Sequence, residues 1–168
     1  MCSYVKCSYG EDVFTCSSAA EILPNLWLGN IKASRNKEFL HRNKINCIIN
    51  CTKNYDFDAT AILPNTKKIR LPISDTGTPE ASSALLALLN RTVTYIHNQL
   101  INGDRILVHC YAGKQRSVSV VVAYIMKYAG LPMESALDVV KRLCNVYPDH
   151  YLTALSSFDV DVQGTKLS

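Results

Sequence analysis

A chain of 168 residues, 48% hydrophobic and 19% charged, can bury one compact core and is too short for two ordinary domains. Its net charge of +4 comes without a block of like charges, which argues against a nucleic-acid coat and leaves only a mild bias towards anionic partners. Seven cysteines, an odd number with no close Cys-x-x-Cys pair, point away from a disulfide framework and a structural metal, so no metal and no cofactor is expected.

Residues 1–20 are rich in Ser, Cys and Tyr without a sustained period and are expected as an arm or short helix outside the core. They hold no apolar signal core, and the longest apolar run, residues 118–126, is far below the roughly 20 residues that cross a bilayer. A soluble intracellular protein, cytoplasmic or nuclear, is therefore expected. Its single domain would span residues 21–160, followed by a tail over 161–168.

Ile22, Leu23, Leu26, Trp27 and Leu28 lead into Gly29 and predict a strand, a turn and a second short extended piece. Residues 33–44 read as a short helix. Residues 47–51 form a near-continuous apolar run, the pattern of a parallel strand buried on both faces, and residues 68–71 read as another strand. Thr78 can cap a helix whose first position is Pro79. Leu85, Leu88, Leu89, Thr92, Val93 and Ile96 then recur at helical spacing until Asn102-Gly103 stops them.

Residues 105–109 are a short apolar strand, and residues 117–128 a core helix ended by Gly130. Pro132 opens a further helix with Met133, Ala136, Leu137, Val140 and Leu143 on one face, and residues 149–158 offer a last one. This alternation predicts an α/β fold with a central, mostly parallel twisted sheet of about five strands and helices on both faces.

Between the strand at 105–109 and the helix at 117–128 lies Val108-His109-Cys110-Tyr111-Ala112-Gly113-Lys114-Gln115-Arg116-Ser117, at the strand end where open α/β sheets bind ligands. A tight loop entering a helix N-terminus turns successive backbone N–H groups inward, and the positive end of the helix dipole adds to the anion-binding concavity they form. Residues Tyr111, Ala112, Gly113, Lys114, Gln115 and Arg116 would thus bind a phosphate, with Gly113 letting the loop curl. In the same field a thiol loses its proton more readily than the free group, which makes Cys110 a candidate nucleophile. Arg116, one turn further on, offers a planar fork that grips two phosphoryl oxygens.

These residues carry a resemblance. His109, Cys110, Arg116 and Ser117 match the pattern of the protein tyrosine phosphatase superfamily: His-Cys, five residues, then Arg followed by Ser or Thr. The segments Glu21-Ile22-Leu23-Pro24-Asn25-Leu26-Trp27-Leu28-Gly29 and Ala123-Tyr124-Ile125-Met126 resemble the dual-specificity branch, and the similarity runs over residues 21–159. Leu143-Cys144 departs from the Arg-Pro pair frequent in the family, while Tyr147-Pro148-Asp149 partly restores its pattern.

The resemblance implies hydrolysis of phosphotyrosine and phosphoserine or phosphothreonine through a phosphocysteine on Cys110. It implies that Ser117 bonds the sulfur and that His109 orders the loop from behind. It also implies a general acid on a loop before the long helix, where Asp75 stands 35 positions ahead of Cys110, a separation that implies a small insertion. Asp75 would serve as base for the water in the second step. Asp104, beside a predicted turn, is the rival acid, and Asp75 alone could equally be a turn or cap residue.

Cys51 resembles the second cysteine of lipid phosphatases that shield their nucleophile in a reversible disulfide, although a plain core thiol is the favoured reading. Mass spectrometry after mild peroxide separates the two. His41, His97 and His150 show no ligand spacing. Phosphorylated proteins are the expected partners. Phosphoinositides or RNA 5′-triphosphates are the lesser reading, because Lys114 adds a cation to the loop but Tyr111 stands where lipid phosphatases carry a second Lys. A phosphoprotein-binding module without turnover and a rhodanese-like sulfur carrier are the alternatives of other classes.

Overall fold

The computed structural model describes residues 2–6, 12–16 and 18–166, and the parts of the N-terminal arm and C-terminal tail at 1, 7–11, 17, 167 and 168 lie outside the described residues. Among the described residues seven strands form one sheet: β1 (Cys2–Lys6), β2 (Asp12–Cys16), β3 (Ala19–Leu23), β4 (Leu26–Gly29), β5 (Cys47–Asn50), β6 (Lys67–Arg70) and β7 (Ile106–His109). Their order is β1-β2-β3-β4-β7-β5-β6. The β4–β7, β7–β5 and β5–β6 pairs are parallel, and the β1–β2, β2–β3 and β3–β4 pairs antiparallel.

The five strands β3 to β7 are the mostly parallel sheet expected. The β1–β2 hairpin extends that sheet, so Cys2–Lys6 and Asp12–Cys16 are strands where an arm or short helix was anticipated. Tyr4, Val5, Val13, Phe14 and Thr15 are β-branched and aromatic residues that suit a pleated ribbon better than a helix.

Short central strands can stay buried because their side chains alternate between two cores. Leu26, Leu28, Cys47, Ile49, Ile106 and Val108 face the larger one, while Trp27, Ile48 and Leu107 face the smaller. The smaller core is covered by α1 (Ile31–Ser34) and α2 (Lys37–Arg42), where Phe39 meets Trp27 edge-on with ring centroids 5.1 Å apart. The helix expected over 33–44 is thus two pieces. Asn30 accepts from the N–H groups of Lys32 and Ala33, and Asn36 accepts from that of Phe39, so each asparagine starts its own helix.

The larger core lies under α3 (Pro79–Ile101), α4 (Arg116–Tyr128), α5 (Met133–Cys144) and α6 (Leu152–Lys166). α3 begins as expected, with Thr78 capping the N–H of Ala81 and Pro79 at its first position. Every residue of α4 from Arg116 to Met126 is buried, which places this helix centrally among its neighbours. The last helix is longer than the sequence suggested. It enters through a 3-10 turn at Asp149–Tyr151 and runs to Lys166, with Val162 buried one turn beyond Phe158, so residues 161–166 continue the helix instead of forming a tail. No described helix is long and apolar enough to cross a membrane.

Candidate active site

Gly29 and Asn50 pair with His109 at the carboxyl ends of β4, β5 and β7, so the segments after all three strands open on one edge of the sheet. The loop of residues 110–115 joins β7 to α4, whose N-terminus begins at Arg116. Gly113 sits at φ +69°, and a Cβ there would lie 3.0 Å from the Gly29 carbonyl oxygen, so the loop can pack on β4 only with glycine at this position. Tyr111 is tied to α1 through its carbonyl, which accepts from the N–H of Ile31 at 3.0 Å.

Cys110 is buried at the foot of this loop, and two protons are aimed at its sulfur. The N–H of Gly113 and the hydroxyl of Ser117 each donate to Sγ at 3.2 Å. Both bonds favour a sulfur that carries negative charge, and the positive end of α4 lies at the same point. His109 sits behind the loop and is almost fully buried. Burial, together with the positive charges of Arg35, Arg70 and Arg116, lowers its pKa from 6.5 to about 4, against the raising effect of its bond to the Cys110 carbonyl. The ring is therefore neutral near pH 7, and its Nδ1–H donates to the Cys110 carbonyl at 3.3 Å.

Arg116 reaches back across the loop mouth. Nη1 donates to the Ile73 carbonyl at 3.2 Å, and Nη2 to Asp75 Oδ2 at 3.0 Å. Its Nε–H is buried without a partner among the described residues. Asp75 is half-exposed and lies at the edge of a cleft of about 480 Å³ shared with Arg116, Ile73, Tyr55 and Tyr111. Cys110, Arg116, Ser117, His109 and Asp75 are thus brought together at one place.

The rival acid is not among them. Asp104 precedes β7 at the other end of that strand, where it accepts from Lys67 Nζ at 2.5 Å and Asn46 Nδ2 at 2.9 Å and ties the starts of β5, β6 and β7. The side chain of Gln115 is held by the Asp149 carboxylate and accepts from the N–H of His150 at 3.1 Å, so its share in anion binding falls to the backbone. Lys114 is exposed and lines a separate cleft of about 420 Å³ with Asn30, Leu143 and Cys144 on another flank of the loop. Cys51 follows β5, its N–H donating to the His109 carbonyl at 2.8 Å. Burial first, and then the nearby Cys110, push its thiol well up, so it is held as a neutral thiol.

Two residues at this edge escaped the sequence reading. Tyr151 is fully buried and donates its hydroxyl to the Ser74 carbonyl at 2.5 Å, fixing the residue before Asp75. Its pKa is pushed up to about 12, chiefly by burial and then by Asp75, so the phenol keeps its proton. Tyr55 stacks on Tyr111 with centroids 4.8 Å apart. The only sequence signal for Tyr151 is its closeness to Tyr147-Pro148-Asp149, and Tyr55 lies in a polar loop that carries none.

The chain is similar to a known family and to several known proteins. The family described as "Dual specificity phosphatase, catalytic domain" matches residues 26–159. Mouse "Dual specificity protein phosphatase 22" is 35% identical over 125 residues, covering 74% of this chain and 64% of that protein. Mouse "Dual specificity protein phosphatase 15" is 34% identical over 121 residues, covering 72% of this chain and 48% of that protein. The chain thus spans about half to two thirds of these relatives' length. A crystal structure of DUSP15 superposes with a TM-score of 0.76 at 28% identity, covering 86% of this chain and 88% of that one.

Proposed function

Because the chain belongs to the dual specificity phosphatase family, we propose that it hydrolyses phosphotyrosine and phosphoserine or phosphothreonine in proteins, with Cys110, Arg116 and Asp75 as its central groups. The observation that carries this reading is the meeting of a doubly hydrogen-bonded Cys110 sulfur with an Arg116 guanidinium whose buried Nε–H has no partner among the described residues and whose Nη2 already holds Asp75.

In the first step the Cys110 thiolate attacks phosphorus. An S–P bond forms and the P–O bond to the leaving group breaks, while Asp75, as general acid, supplies a proton to the leaving oxygen. The N–H groups of the loop and Arg116 stabilise the charge that spreads over the phosphoryl oxygens. In the second step a water attacks the phosphocysteine, Asp75 takes the water's proton, and the S–P bond breaks to release inorganic phosphate and the thiolate. Ser117, whose hydroxyl donates to that sulfur, eases its departure.

The test is turnover of a small aryl phosphate beside phosphopeptide, phosphoinositide and RNA 5′-triphosphate substrates. Phosphopeptide hydrolysis that Cys110→Ser brings to background is expected. Phosphopeptide binding without turnover would make the chain a binding module, and exclusive turnover of lipid or RNA would replace the substrate class. Asp75→Ala should slow alkyl phosphates about 100-fold and slow aryl phosphates with good leaving groups far less, because only the former need the proton. Equal losses on both would move the acid role elsewhere.

A further inference from the structure

Two large aromatic side chains stand exposed beside the catalytic loop. Tyr111, the residue after Cys110, is 49% exposed and Tyr55 is 38% exposed, and their rings lie 29° from parallel. Both line the cleft that holds Arg116 and Asp75. Exposed tyrosine rings on a loop are ordinarily free to turn, yet the backbone under each of these is tied down.

The Tyr55 carbonyl accepts three bonds: Asn50 Nδ2 at 2.7 Å, Arg70 Nη1 at 3.1 Å and the Thr52 hydroxyl at 3.3 Å. Arg70 also bonds the Thr52 and Lys53 carbonyls, pairs with Asp56 at 2.7 Å and lies 5.5 Å over the Phe57 ring. One guanidinium on β6 thereby fixes the loop of residues 52–57. Tyr111 is fixed in turn by its carbonyl bond to α1. The pair is a preorganised wall, ordered before any substrate arrives.

We infer that the Tyr55–Tyr111 pair is a specificity determinant that selects phosphotyrosine over phosphoserine and phosphothreonine at this site. The inference rests on the hydrolase reading and deepens it. An ester whose phosphate sits over Cys110 must run its organic part out through the cleft between this wall and Asp75. A phenyl ring there gains an aromatic contact that an aliphatic carbon cannot supply, worth about tenfold in affinity. An inositol ring offers no such face, so the wall also counts against phosphoinositides.

The experiment compares two peptides of identical flanking sequence, one carrying phosphotyrosine and the other phosphothreonine, on the wild type, Tyr55→Leu and Tyr55→Phe. The ratio of their kcat/KM values should fall about tenfold in Tyr55→Leu, mainly through the phosphotyrosine KM, and be kept in Tyr55→Phe. Comparing ratios between variants cancels the intrinsic advantage of an aryl leaving group. An unchanged ratio, or equal losses on both peptides, overturns the inference. If the wild type turns over neither peptide, the hydrolase reading fails by itself. The wall is then judged by titrating both peptides against Cys110→Ser with and without Tyr55→Leu, where equal affinities for the two peptides reject it.

Discussion

Arg116 joins the segment of Asp75 to the loop of Cys110 within a single side chain, because two of its nitrogens already bond residues 73 and 75. That arrangement leaves Ser74 between two anchored residues, and its carbonyl is taken by Tyr151. A carboxyl that must stand within hydrogen-bonding distance of a leaving oxygen gains from each such restraint, since displacement of about an ångström can cost on the order of 100-fold in rate. Under the proposed mechanism Tyr151 would be a positioning residue, acting through Ser74 on Asp75. Tyr151→Phe removes one donor and leaves a carbonyl unsatisfied, at a cost of about 1–3 kcal/mol in stability. It should lower kcat about tenfold for poor leaving groups while sparing good ones, and so steepen the dependence of rate on leaving-group pKa. Urea unfolding and a series of aryl phosphates measure the two effects. A stability loss with an unchanged leaving-group slope would reduce Tyr151 to a packing residue.

At the scale of elements, the turn from β7 into α4 depends on how closely the loop approaches β4. Gly113→Ala would place a Cβ at a positive φ, costing about 1–2 kcal/mol, and drive it against the Gly29 backbone, which has no flexible side chain to yield. Melting should fall by roughly 5 °C, and a stabilisation by orthovanadate, expected for the wild type, should be absent from the variant. A wild-type vanadate shift in the variant would show that the loop forms without glycine. The same elements show what could be read from sequence. β5 and β7 were legible because both faces are buried and their apolar runs are continuous, and α3 because Thr78, Pro79 and Asn102-Gly103 mark its ends. The split between α1 and α2 was hidden because Asn36 reads as an ordinary polar helix residue until it is seen capping Phe39. The β1–β2 hairpin was missed because its Ser- and Cys-rich strands lack a strict alternation.

For the whole molecule, the site residues legible as one motif are local, and those the sequence hid are joined by long-range contacts. Cys110, Gly113, Arg116 and Ser117 lie within eight residues and could be read as a unit, whereas the Tyr151–Ser74 contact spans 77 positions and the Tyr55–Tyr111 stack joins two separate loops. The centre formed by these contacts also links site and stability through His109, which is buried neutral at the end of β7. Its pKa is about 4 in the folded chain against 6.5 in the unfolded one, so the unfolded state takes up a proton first as pH falls. The stabilisation is complete above pH 6.5, drains away between 6.5 and 4, and changes no further below that. The shift is worth about 3 kcal/mol. His109→Asn removes the titration and keeps a polar side chain that can donate to the Cys110 carbonyl. The variant should be less stable at pH 7, and the gap to the wild type should close by about 3 kcal/mol between pH 7 and pH 4 in urea unfolding curves, since other acid-sensitive groups cancel in the difference. A gap that stays constant across that range would mean that His109 titrates in the folded chain as it does in the unfolded one, and the burial-depressed pKa would be refuted.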